Sequence, residues 1–138
     1  MRFLVIFLVF IGFLLACQEQ SQFSVDASTD NFILNDDQGQ PSLEVAAQDC
    51  PGVFDFENAT AAAAAMGAGW RLPNRQELNK MRRLLHQKRK GNFQKKWYWS
   101  KTPNPPDSYW GTHFGNGLEY YNFRDDQGCV RAVRNIPR

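Results

Sequence analysis

GWRLPNRQEL, residues 69–78, is the stretch from which the fold reads outward. Pro73, then Asn74 and, three residues later, Glu77 form the start signal of a helix. An asparagine at the N-cap accepts from the Glu77 N–H while the Glu77 carboxylate reaches back to the Asn74 N–H, the reciprocal arrangement of a capping box. Leu78, Met81 and Leu85 then recur at helical spacing and predict one buried stripe, with Gly91 as the stop. Lys80, Arg83, His86 and Lys90 fall broadly opposite that stripe, which predicts a basic face in solvent. Trp70 and Leu72 are expected to bury against a sheet, and Arg71 between them to hydrogen-bond a backbone carbonyl or a carboxylate beside the core.

Upstream, residues 56–66 predict a first helix, capped by Asp55 and stopped by Gly67 and Gly69. Phe56, Ala59, Ala63 and Met66 share one face, and so many alanines suit close packing on a sheet. Downstream of Gly91 the period shortens to aromatic segments at 97–101, 109–114, 118–123 and 129–134, separated by turns at 115–117 and 125–128. This is the pattern of an antiparallel meander. TPNPPDS, residues 102–108, is expected as a surface loop because proline lacks the ladder donor.

At the far N-terminal side, Arg2 precedes an apolar run from Phe3 to Ala16. The run reads as a secretory signal, too short for the about 20 residues that cross a bilayer. Leu14-Leu15-Ala16-Cys17 resembles the lipobox of bacterial lipoproteins, in which the chain is cut before the cysteine and the thiol is acylated. The expected organisation is a signal peptide over 1–16, a lipidated polar tether over 17–48 and a folded domain over 49–138. As flexible coil the tether would span on the order of 30 Å, but Phe32, Ile33, Leu34, Leu43 and Val45 interrupt its polarity and could add short edge strands to the domain, which leaves the boundary soft. Gln18 after the cysteine, where an aspartate would favour the inner membrane, points to an outer-membrane lipoprotein of the cell envelope. With Cys17 acylated, Cys50 and Cys129 remain as an even pair in an oxidising compartment and predict a disulfide. Closing a loop of about 80 residues, it would contribute roughly 4 to 4.5 kcal/mol in the chain-entropy account.

The sequence holds 16 Lys and Arg against 14 Asp and Glu, but the charge is divided along the chain. Residues 17–70 contain acids and no Lys or Arg, whereas Lys80, Arg82, Arg83, Lys88, Arg89, Lys90, Lys95 and Lys96 follow with no acid among them. Two readings stay open: a site for a polyanion, or a solvated helix face that pairs with the protein's own acidic leader.

GWRLPNRQEL, YWS at 98–100 and VRAVR at 130–134 resemble, in order and spacing, the signature of the bacterial Lcl C-terminal domain family and the related Fibrobacter major paralogous domain. The resemblance covers residues 54–134. It implies an α+β, C-type lectin-like fold with two helices packed on a mainly antiparallel sheet, and a surface or extracellular domain. A few members of the family are tied to sulfated glycosaminoglycans or to adhesion. Typical members carry a cysteine inside the final motif, where this chain has Ala132 and places Cys129 three residues earlier.

The EPN-like and WND-like triplets of calcium-dependent lectins are missing, and Asn122, Asp125 and Asp126 suit a hairpin turn. His86 and His113 lack neighbours at ligand spacing, so neither a metal nor a cofactor is expected. With the cysteines assigned to lipid and disulfide, no nucleophile remains and the chain does not read as an enzyme. The expected function is a membrane-anchored, calcium-independent binding module for an anionic glycan or envelope polymer. Lys80, Arg83, Lys90, Lys95 and Lys96 would supply charge, and Trp99, Tyr109, Trp110 and Tyr120 would stack on sugar rings. Strands alternate their faces, so about half of the aromatic residues after 97 must be core. The competing reading is a structural lipoprotein that contacts an envelope protein partner; on either, the membrane is met through the lipid alone and nucleic acid is not a partner.

Overall fold

The computed structural model describes residues 22–138, so the expected signal peptide, 1–16, and the expected lipidation site, Cys17, lie outside the described residues. The helix that follows Pro73 spans Arg75–Leu84 (α2), and its capping box is formed in both directions at 2.8 Å. Leu78, Met81 and Leu85 are buried as expected and Leu84 joins them. The helix ends before Gly91 because the chain tightens into a 3₁₀ turn, His86–Lys88, closed by Arg89 in the left-handed region at φ 58°. Arg71 clamps the start of α2 by donating from Nη1 and Nη2 to the Glu77 carboxylate at 2.8 and 2.9 Å, and it also reaches the Leu72 carbonyl and Asn135.

Burial pushes the Glu77 carboxyl up, but the hydrogen bonds from Arg71 and the Asn74 N–H outweigh it and hold the group below its ordinary value. A carboxylate depressed in this way stabilises the fold above its unfolded pKa and loses that contribution as pH falls through the folded one. Glu77→Gln is therefore expected to cost most near neutrality and progressively less below about pH 4.3. Urea midpoints measured across that range check it, and a cost that stays flat with pH would contradict the clamp.

The first helix, Phe56–Ala64 (α1), is capped by Asp55, which accepts from the Asn58 N–H at 2.9 Å. Ala59 and Ala63 are fully buried, whereas Met66 lies past the last turn and is exposed. Three antiparallel strands make the aromatic meander: Trp97–Asn104 (β4), Ser108–His113 (β5) and Glu119–Phe123 (β6). β4 continues through part of the expected loop. The ladder shifts register between Trp99 and Pro103, where an irregular strand tolerates a proline without an N–H.

A second sheet has the order β1-β2-β3-β7, with Phe23–Val25 (β1), Phe32–Asn35 (β2), Pro41–Val45 (β3) and Val133–Asn135 (β7), all pairs antiparallel. The segment expected to be tether as far as residue 48 is therefore part of the domain from Phe23 onward. Its apolar residues alternate, Phe32 with Leu34 and Leu43 with Val45, and all four enter the core. Its polar residues occupy the turns, where Asp26 accepts from Ser28 and Asp36 from the Gln38 and Gln40 N–H groups. Polarity thus marked turn chemistry rather than a lack of structure.

Residues 128–133 run between the two sheets. Cys129 bridges to Tyr98 of β4 in parallel, and Val133 pairs with Arg71 and with Val45 of β3. Side chains alternate along this segment: Cys129 and Val133 enter the core shared with α2, while Val130 and Ala132 enter the core shared with α1. The same alternation explains the cysteines. The Cys50 N–H donates to the Val130 carbonyl at 2.9 Å and the residue sits in the α1-side core, whereas Cys129 projects to the other side. Both thiols are buried and free, so the expected Cys50–Cys129 disulfide is absent from this structure. The molecule is an α+β fold with one helix packed on each side of a central strand layer.

Candidate functional site

Three carboxylates of the acidic leader pair with arginines from the other end of the chain. Arg134 Nε meets Glu44 at 2.6 Å, Arg131 Nε meets Asp49 at 2.8 Å, and Arg138 Nη2 meets Asp36 at 2.9 Å. The β3–β7 ladder builds the first of these directly, because it sets Glu44 opposite Arg134. Arg71 and Arg75 take Glu77 and Glu119 at 2.8 and 2.7 Å. Among the described residues, no ion pair reaches Arg82, Arg83, Lys88, Arg89, Lys90, Lys95 or Lys96. Of the cations expected to hold a polyanion, Arg83, Lys90, Lys95 and Lys96 are exposed. Lys80 is half-buried and its ammonium donates to the Asn35 carbonyl.

These five do not converge on one spot. Lys80 and Arg83 border a cleft between α2 and the β2–β3 turn, while Lys96 lines a hollow of about 260 Å³ with Val53, Trp97, His113 and Gln127. Lys95 lies beside the β5–β6 turn, where a Cβ on Gly115 would come within 3.2 Å of its own Cβ. Arg82, absent from the sequence-derived set, approaches the same turn. A Cβ on Gly117, which has φ +78°, would stand 2.6 Å from its guanidinium, so the close approach requires glycine. His86 reports the local field: burial lowers its pKa, the backbone of Phe114 opposes this, and both charges that act on it, Arg82 and Lys95, are positive.

The aromatic set needs correction. Trp99 is fully buried, donates from Nε1 to the Phe54 carbonyl at 2.7 Å, and meets Trp97 and Phe56 edge-on. Tyr109 is half-buried with Phe56 stacked on its ring at 3.4 Å, so that face is taken. Trp99 thus offers no surface to a sugar, and Tyr109 has one face already covered. Trp110 and Tyr120 do reach the surface, but on opposite sides of the sheet, since Trp110 faces Tyr121 and Gly111 faces Tyr120 across the β5–β6 ladder. Arg75 covers one face of Trp110 at 3.9 Å, and Tyr121 and Phe123 continue the row at 5.9 and 6.1 Å between ring centroids. Tyr121 and Phe123 are exposed, and the alternation of EYYNF on the last strand of a meander was the available clue.

A family model described as the Lcl C-terminal domain matches residues 21–134. The chain belongs to the Lcl C-terminal domain family. No curated protein matches it. The match begins before β1, so the N-terminal sheet is part of the Lcl C-terminal domain unit and not a leader to it. Among the described residues, this Lcl C-terminal domain has no cluster of three or more His, Cys, Asp or Glu that could hold a metal ion. Asp126 accepts from the Phe123 N–H at 2.8 Å and so serves its turn. Among the described residues no helix is long and apolar enough to cross a membrane.

Proposed function

We propose that this Lcl C-terminal domain is the binding module of an envelope lipoprotein, anchored through Cys17 in the outer membrane, that holds an anionic glycan or envelope polymer without calcium. The observation that carries the reading is the division of charge. Three of the leader's carboxylates, Asp49, Glu44 and Asp36, are taken by Arg131, Arg134 and Arg138, and among the described residues the cations from Arg82 to Lys96 have no ion-pair partner. Unpaired exposed cations of one sign create a field that attracts a polyanion and weakens with salt. The Trp110 and Tyr121 rings, in contact with each other, supply a surface for the apolar faces of sugars, in keeping with a C-type lectin-like module.

Retention of the chain on immobilised heparin at low salt tests this. Exposed charge pairs contribute about 0.2 to 1 kcal/mol each, so replacing Lys90, Lys95 and Lys96 together by alanine should weaken binding by roughly tenfold. No retention at low salt, or equal retention by the triple variant, would refute the proposal. The competing reading, a lipoprotein that contacts an envelope protein, draws on the exposed Tyr121 and Phe123 of β6 and predicts that first outcome.

A further inference from the structure

The cleft between α2 and the β2–β3 turn has a volume of about 410 Å³ and walls of opposite charge. Lys80 and Arg83 stand on the helix side, Asp36 and Asp37 on the turn side, and Leu84 lines it between them. Lys80 is held at the edge by the Asn35 carbonyl, which leaves two of its three N–H donors for a ligand. Arg83 is exposed and has no ion pair among the described residues, so its planar fork is free to grip an oxyanion. Opposite, Asp37 is exposed and likewise unpaired. Asp36 is kept ionised chiefly by the Gln40 N–H, with Gln38, Arg138 and Lys80 assisting against burial.

A purely anionic ligand would meet Asp37 here, and a purely cationic one would meet Lys80 and Arg83. A molecule that carries both charges a few bonds apart satisfies both walls. The cleft also lies where the chain enters the domain, since Gln22 lines it and its carbonyl accepts from the Asn35 N–H at 3.1 Å. Gln22 is the fifth residue after Cys17, which at full extension is at most about 18 Å. The domain is folded from Phe23, so the longer tether that would lift it away does not exist.

We infer that this cleft binds the headgroup of a zwitterionic phospholipid, a phosphate bearing a primary ammonium, in the membrane that holds the anchor. The membrane source rests on the acylation of Cys17 proposed above, whereas the ligand chemistry rests on the cleft alone. Lys80 and Arg83 take the phosphate oxygens, Asp37 takes the ammonium, and Leu84 meets the methylenes between. The domain is thereby seated in one orientation, with Lys90, Lys95 and Lys96 left to other ligands.

The test uses the full lipoprotein in a nonionic detergent, titrated with O-phosphoethanolamine, inorganic phosphate and ethanolamine while backbone amides are followed by NMR. O-phosphoethanolamine should saturate shifts in residues 36–39 and 80–84, and Arg83→Ala and Asp37→Asn should each weaken it about tenfold, as expected for a charge-assisted hydrogen bond. No binding, or inorganic phosphate binding as tightly and indifferent to Asp37→Asn, overturns the zwitterion assignment. In vesicles, the same amides should exchange more slowly with phosphatidylethanolamine than with phosphatidylcholine, whose quaternary ammonium has no N–H for Asp37. Equal exchange in both overturns the membrane source. Heparin retention of the same samples reports the glycan reading separately, so the two can fail independently.

Discussion

Replacing Arg131 with methionine is expected to destabilise the domain by about 3 to 5 kcal/mol, because it removes a fully buried guanidinium and strips the part-buried Asp49 carboxylate of its counter-charge. Arg131 is fully buried. Its guanidinium donates to Asp49 at 2.8 Å, to the Ala46 carbonyl at 3.2 Å and to the Gly91 carbonyl at 2.6 Å, and its plane lies over Phe93 at 3.9 Å. Burial pulls its pKa down and Asp49 pulls it back. Tyr98 donates to the second Asp49 oxygen at 2.7 Å and itself accepts from the Gln94 N–H; burial and the Asp49 carboxylate together push its phenol far above the ordinary range. One side chain therefore ties the segment before Cys50, the loop after Gly91 and the central strand layer into one network. Methionine roughly preserves the volume, so the loss would come from orphaned polar groups and not from a cavity. Asp49→Leu in the same background should recover part of it, as a coupling measured by a double-mutant cycle in urea. A loss under about 1 kcal/mol for Arg131→Met would show that Asp49 finds solvent instead.

Trp99→Ala should cost a similar amount, about 3 to 5 kcal/mol, while leaving heparin retention of the folded fraction unchanged. The ring is wholly enclosed between Trp97 and Phe56, and the indole N–H donates to the Phe54 carbonyl, which on truncation would keep only the Gly128 N–H. The contrast is Tyr121→Ala on the exposed row. There the lost ring is partly in water already, and the expected change is within about 1 kcal/mol. Urea unfolding of the two variants, each followed by chromatography on heparin, separates an aromatic that holds the core from one that faces solvent. Unaltered stability in Trp99→Ala would contradict the core placement.

The stacking and charge sets show why some of the site was legible and some was not. Hydrogen bonds of the α2 cap join residues three apart and the Leu78, Met81 stripe repeats within one turn, so both are written in a short window of sequence. The aromatic strands were equally visible as strands. Which of their rings faced outward was not, because that depends on register against partners: Tyr109 meets Phe56, and Trp110 meets Arg75, only once the helices dock.

By itself the sequence determined the two helix starts, the aromatic meander, the family signature and the separation of acids from cations along the chain. Tertiary structure alone decided what that separation means. Asp49 finds Arg131 across 82 residues, Glu44 finds Arg134 across 90 and Asp36 finds Arg138 across 102, and the β3–β7 ladder that sets the central pair is invisible in any local window. Tertiary structure also turned the presumed tether into three strands and set Cys50 and Cys129 on opposite sides of one backbone segment. The physical reason is common to all of these. Caps and helical stripes are satisfied by neighbours in the chain, whereas strand register and long-range ion pairs exist only after distant segments have been brought side by side.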